Sequence, residues 1–131
     1  MRYLVDSDWL IDAFRGVPSA VDLLAQLRGE GLAVSIVSYG ELFEGAVGAS
    51  DPAAELARFR RFLARLALLP LDEAVMERFA RLRAELRRRG QLIPDLDLLI
   101  AATALHHDLT LLTRNARHFD RIPALRRYWP H

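Results

Sequence analysis

Asp6, Glu41, Asp95 and Asp97 are the residues whose type and placement most suggest chemistry. Asp6 closes a short apolar run, Arg2-Tyr-Leu-Val5. Glu41 follows the apolar run 33–37. Asp95 and Asp97 come directly after Pro94, at the head of a helical pattern. Thr113, Arg114 and Asn115 stand where the apolar run 109–113 ends. In sheets of parallel strands, ligands bind beyond the carboxyl ends of the strands. These sequence-distant polar groups would therefore be aimed at one edge. Carboxylates gathered there repel one another, and either protonation or a cation relieves the repulsion. Hard oxygen donors of this kind suit Mg²⁺ or Mn²⁺.

A purely structural role is open to most of these residues. Ser38-Tyr-Gly-Glu41 has the form of a capping box, in which Glu41 bonds back to the Ser38 backbone. Asp95 is placed as an N-cap, and Asp97 would be favoured by the helix dipole without any ion. Two residues apart on a helix means side chains roughly 200° apart, so Asp95 and Asp97 do not readily face one ion. Asp97 is assigned to the metal and Asp95 to the cap. Asp6 is harder to explain structurally, because a strand-end aspartate has no helix of its own to cap. Asp8 reads as a cap or first-turn acid. His106, His107 and His118 read as surface or helix-end residues. Arg87-Arg88-Arg89 reads as a solvated helix C-terminus complementing the dipole.

The elements that must position these groups follow from punctuation and periodicity. Strands are expected at 2–5, 33–37, 68–71 and 109–113. Ser7 and Asp8 cap a helix carrying Trp9, Leu10, Ala13 and Phe14, which Gly16 and Pro18 end. Further helices are expected at about 19–28, from Ser38 to about Val47, from about Pro52 to Leu66, from Asp72 to Arg89 and from Pro94 to His106. A helical turn near 116–119 and an edge strand near Tyr128 complete the chain. Short apolar strands alternating with helices indicate an α/β fold, a central parallel sheet of four to five short strands with helices on both faces.

The length of 131 residues suits one domain spanning 1–131. Just over half the residues are hydrophobic, enough for one sizeable core. A net charge of +1 neither demands nor forbids a nucleic-acid partner. Cysteine is absent, which excludes a disulfide framework and a thiolate metal site. Lysine is absent too, which removes every mechanism that needs one. Asp6, Asp8 and Asp12 interrupt the N-terminus, so it is not a signal-peptide core. The longest uncharged apolar run, Leu98 to Leu105, is far shorter than the roughly 20 residues of a membrane span. A cytoplasmic protein without a membrane is expected.

Four segments carry a family resemblance that covers nearly the whole chain. They are Leu4-Val-Asp6-Ser-Asp-Trp-Leu-Ile-Asp12, Ser38-Tyr-Gly-Glu41-Leu-Phe-Glu-Gly45, Ile93-Pro-Asp-Leu-Asp97-Leu-Leu-Ile-Ala-Ala102 and Leu112-Thr-Arg-Asn115-Ala-Arg-His-Phe119. In this order and at these spacings the chain resembles the PIN-domain ribonucleases, and within them the toxin half of VapBC toxin–antitoxin pairs. The resemblance places the family's metal-binding acids on Asp6, Glu41 and Asp97. The fourth position, where many members carry a further acid, is Asn115 here. It implies Mg²⁺- or Mn²⁺-dependent RNA cleavage, silencing by a partner antitoxin, and pairing of two chains. Asp6 and Asp97 would hold the ion and Glu41 would bind it directly or through water. Asp95 and Thr113 would stand in a second tier, and Arg114 and Arg117 would grip neighbouring phosphates.

Two rivals stand beside this expectation. Asp6-Ser-Asp8 imitates the nucleophile motif of haloacid-dehalogenase phosphohydrolases, with Asp6 as nucleophile and Thr113 as the strand-end threonine. Against it, the acids at Asp95 and Asp97 precede Thr113, whereas that fold needs them afterwards. The second rival is a catalytically silent interaction domain whose acids are merely caps. The helices expected at 38–47 and 52–66 carry Leu42, Phe43, Val47, Leu56, Phe59, Phe62, Leu63 and Leu66, part of which is expected to form a groove for an antitoxin helix.

Overall fold

The computed structural model describes residues 1–128. Four strands form one parallel sheet in the order β3-β2-β1-β4: β1 (Tyr3–Val5), β2 (Leu32–Ser35), β3 (Ala67–Leu69) and β4 (Thr110–Leu112). Seven helices surround it: α1 (Ser7–Phe14), α2 (Pro18–Leu27), α3 (Ile36–Val47), α4 (Pro52–Leu63), α5 (Glu73–Arg88), α6 (Asp95–His106) and α7 (Ala116–Phe119).

The strand residues alternate between two cores, as a period of two requires. Tyr3, Val5, Val34 and Leu112 join α1 to α4 on one face. Leu4, Ala33, Leu69 and Leu111 join α5, α6 and α7 on the other. β1 is buried at all three positions because it is an inner strand covered on both faces. Edge strand β3 leaves Leu68 exposed. α6 is buried almost all round, with Leu98, Ile100, Ala101, Ala102 and Ala104 enclosed. In its first turn Leu98 is fully buried while Asp95 and Leu96 are exposed.

Several boundaries depart from the sequence expectation. β2 stops at Ser35, in register with Leu69, and Val37 already lies in α3. The N-cap of α3 is Ser35, whose hydroxyl accepts the Val37 N–H at 3.0 Å, not Ser38. α4 ends at Leu63. Pro18 occupies the first turn of α2, where its missing N–H costs nothing. The edge strand expected near Tyr128 reduces to one parallel bridge between Leu111 and Arg127. Gly31 enters β2 with φ +92°, and a Cβ there would lie 2.7 Å from Met1 Cα, so both backbone conformation and space call for glycine. Among the described residues, no helix is long and apolar enough to cross a membrane.

Candidate active site

Asp6 leaves β1 at the carboxyl edge, its N–H donating to Leu112 O at 2.9 Å. One carboxylate oxygen accepts the Ser7 N–H at 2.8 Å, so Asp6 is the N-cap of α1. The expectation that it caps nothing is corrected: the strand passes into the helix with no intervening loop. Its other oxygen accepts the Thr113 hydroxyl at 2.7 Å. Only 6% of Asp6 is exposed. Burial pushes its carboxyl up to about 6, and the charges of Asp8 and Glu41 push the same way. The hydrogen bonds from Thr113 and Ser7 oppose the shift.

Glu41 lies in the second turn of α3, because the helix begins five residues before it. The capping box is therefore absent, and Ser38 is buried with its hydroxyl unpaired among the described residues. Glu41 is free to face Asp6 and Asp97. Its Oε1 is buried with no hydrogen-bond partner among the described residues. Burial raises its carboxyl, the charge of Asp97 adds to this, and a hydrogen bond with Ser7 counters it.

Asp97 stands in the first turn of α6 and is largely buried. Its Oδ2 lies 2.6 Å from His118 Nδ1 and 3.4 Å from Asn115 Nδ2. Asp95 is exposed and accepts Arg83 Nε at 2.9 Å. It is the first residue of the helix, and the N-cap is Pro94, with no side-chain cap. The N-cap assignment for Asp95 is thus corrected, while its separation from Asp97 stands.

Thr113 ties the edge together. Its hydroxyl donates to Asp6 and accepts the Asn115 N–H at 3.1 Å. Asp8 accepts the Arg114 N–H at 2.8 Å, fixing the same turn from the other side. The Arg114 guanidinium pairs with Asp12 and lies 4.0 Å from the centre of the Trp9 ring. Arg117 is exposed on α7. The structure therefore brings Asp6, Glu41, Asp97, Thr113 and Asn115 together, with Asp8 and His118 added. It turns Asp95 and the Arg114 side chain away.

His118, expected as a surface or helix-end residue, instead joins the site, its Nδ1 2.6 Å from Asp97 Oδ2. The signal was present, since Asn115 and His118 are three residues apart and share one face of a helical turn. What could not be read locally was their partner, 21 residues from His118 on another helix.

Among the described residues, no three Asp, Glu or His side chains already close around a single point as metal ligands. The donor chemistry nonetheless fits a hard divalent cation. Every donor on Asp6, Glu41 and Asp97 is a carboxylate oxygen, one of them is buried and unpaired, and burial, with repulsion from neighbouring acids second to it, drives Asp6 and Glu41 toward protonation.

A model of the PIN domain matches residues 3–125, and the chain belongs to that family. Its relatives are VapC ribonucleases. Ribonuclease VapC10 of Mycobacterium tuberculosis is 40% identical, covering 94% of this chain and 90% of its own. Ribonuclease VapC2 of Haemophilus influenzae is 30% identical over 96% of both chains. The structure of VapBC2 from Rickettsia felis, bound to a DNA fragment from its promoter, superposes with a TM-score of 0.90 at 28% identity, covering 99% of this chain and all of that one. The chain's fold is thus that of the PIN domain, a family whose ribonucleases are metal-dependent.

Proposed function

We infer that this chain, acting as one PIN domain over residues 1–131, is a Mg²⁺- or Mn²⁺-dependent endoribonuclease and the toxin of a toxin–antitoxin pair. The observation that carries the site assignment is the convergence of Asp6, Glu41 and Asp97 at the carboxyl edge of a parallel sheet, with the first two driven toward neutrality by burial and by their neighbours.

Asp6 and Asp97 would hold the cation with Glu41 beside them, and it would supply Lewis-acid polarisation of water and of the phosphate. Glu41 Oε1, unpaired and raised in basicity, takes a proton from the attacking water. The water oxygen bonds to phosphorus, the bond to the 3′-oxygen breaks, and the departing oxygen takes a proton from solvent. The products are a 5′-phosphate and a 3′-hydroxyl. Arg117 reaches the neighbouring phosphates from α7. Arg114 acts through its backbone N–H, which holds the 113–115 turn on Asp8. A phosphohydrolase with Asp6 as nucleophile is disfavoured, because the acids at Asp95 and Asp97 precede Thr113 in the chain, whereas that fold needs them afterwards.

The partner is an antitoxin, as the VapBC complexes of similar structure support. Leu42, Phe59 and Leu63 of the helical hairpin pack inward, so that face is not its seat, whereas Phe62 and Leu66 are only partly buried. A better seat is a cleft of about 580 Å³ between α2 and α4, with Leu24, Phe62 and Leu66 in its walls and Arg28, Arg61 and Arg65 at its rim. An amphipathic helix with acidic flanks fits it. Two copies of the chain pair, and both act in the cytoplasm, where their RNA is.

The test is cleavage of total cellular RNA with Mg²⁺, with EDTA, and with Asp6→Asn or Asp97→Asn. Cleavage should require the metal and both carboxylates. Undiminished cleavage in EDTA, or wild-type rates in either variant, would reject the assignment.

A further inference from the structure

Two hydrogen-bonding groups, one on α7 and one on the residue before it, close on one oxygen of Asp97. Oδ2 lies 2.6 Å from His118 Nδ1 and 3.4 Å from Asn115 Nδ2, whereas Oδ1 takes part in neither contact. An ionised carboxylate only accepts, so the short contact requires a proton on Nδ1. Asn115 Nδ2 also lies 2.9 Å from that ring nitrogen. With Nδ1 already a donor, Nδ2 has Asp97 Oδ2 as its acceptor there. An aspartate at 115 would set a second negative charge against Asp97. The amide donates to it instead.

We propose that His118 is the positioning residue for Asp97: its Nδ1–H, seconded by Asn115, fixes the rotation of the carboxylate so that Oδ1 is presented to the acidic site. The proposal rests on the metal-dependent function above and adds a residue to it. His118 is suited to this. Its side chain is about two-thirds buried, it lies on a turn whose following residue, Phe119, is locked in the core, and it acts on a helix that is itself enclosed. Groups that orient a ligating carboxylate in this way contribute roughly 10- to 100-fold to metal affinity.

The test is Mn²⁺ titration of the metal-free protein, with the free ion read by electron paramagnetic resonance. His118→Ala should weaken binding by roughly 10- to 100-fold. His118→Asn puts an amide N–H where Nδ1 was and should restore binding to near the wild-type value. His118→Gln puts its amide at the Nε2 position and should not. Nitrogen chemical shifts of the wild-type ring, recorded without metal, should show Nδ1 protonated. That readout stands even if a variant fails to fold. Unchanged Mn²⁺ affinity in His118→Ala, equal loss in all three variants, rescue by glutamine rather than asparagine, or a bare Nδ1 would each overturn the proposal. Wild-type protein that binds no Mn²⁺ would overturn the metal-dependent function along with it, whereas wild-type binding with an indifferent His118→Ala removes His118 alone.

Discussion

The Thr113 hydroxyl donates to Asp6 Oδ2 at 2.7 Å, joining two residues 107 positions apart and fastening the ends of β4 and β1 to each other. This bond opposes the burial that raises the Asp6 carboxyl. Thr113→Val should therefore move the acid limb of the pH–rate profile to higher pH, and Thr113→Ser should leave it in place. An unmoved limb in the valine variant would show that the bond does not tune Asp6.

The raised Asp6 carboxyl sets a pH dependence of stability in the absence of metal. The folded group titrates at about 6 and the unfolded one near 3.8. Below the lower value both states are protonated. As pH rises through the window between them, the unfolded state gives up its proton first and stability falls. Asp6→Asn lacks this loss and can still cap α1. In EDTA, its stability relative to wild type should be similar near pH 4 and exceed it by about 3 kcal/mol near pH 7. Glu41 contributes in the same direction to both proteins. Denaturant midpoints across that range check it, and a pH-independent difference would contradict it.

Asp95 and Asp97 should separate cleanly. Asp95 is exposed and pairs with Arg83 on α5, an arrangement worth at most about 1 kcal/mol. Asp95→Ser should keep most cleavage activity, and Asp97→Asn should lose it while remaining folded. Equal inactivation of the two, measured on the same labelled RNA, would place Asp95 in the site.

Core and partner surface should separate as well. Phe59 is 7% exposed and stacks on Phe14 with ring centres 3.9 Å apart. Phe59→Ala should cost about 3–5 kcal/mol in denaturant unfolding. Arg61 and Arg65 are exposed at the cleft rim. Arg61→Glu with Arg65→Glu should leave stability nearly unchanged and weaken binding of the cognate antitoxin at least tenfold, by calorimetry. Unaltered affinity would put the antitoxin elsewhere.

Much of this architecture is legible in the sequence because apolar runs and breakers mark it. The run 2–5 leading into Asp6 and the run 109–113 leading into Arg114 and Asn115 place two sides of the site on one edge. Helix starts were less legible, for a physical reason. Ser35 and Ser38 are both good caps, and Ser38 with Glu41 makes the better local pattern. Register against Leu69 ends β2 at Ser35, so tertiary pairing decides between them. Asp95 likewise looks like a cap until Arg83, 12 residues away on α5, claims it. His118 stayed hidden because its role exists only in relation to Asp97.

The strand order has a consequence for synthesis. β1 is made before the other three strands, yet its neighbour β4 is made after them, and β1 lies between β4 and β2. Until residues 110–118 are available, Asp6 lacks Thr113 and Asp97 lacks both Asn115 and His118. Contacts this distant along the chain form only after most of it is free to fold. Chains stalled before Thr110 lack β4 and the contacts it brings, and should bind Mn²⁺ more weakly than the full chain.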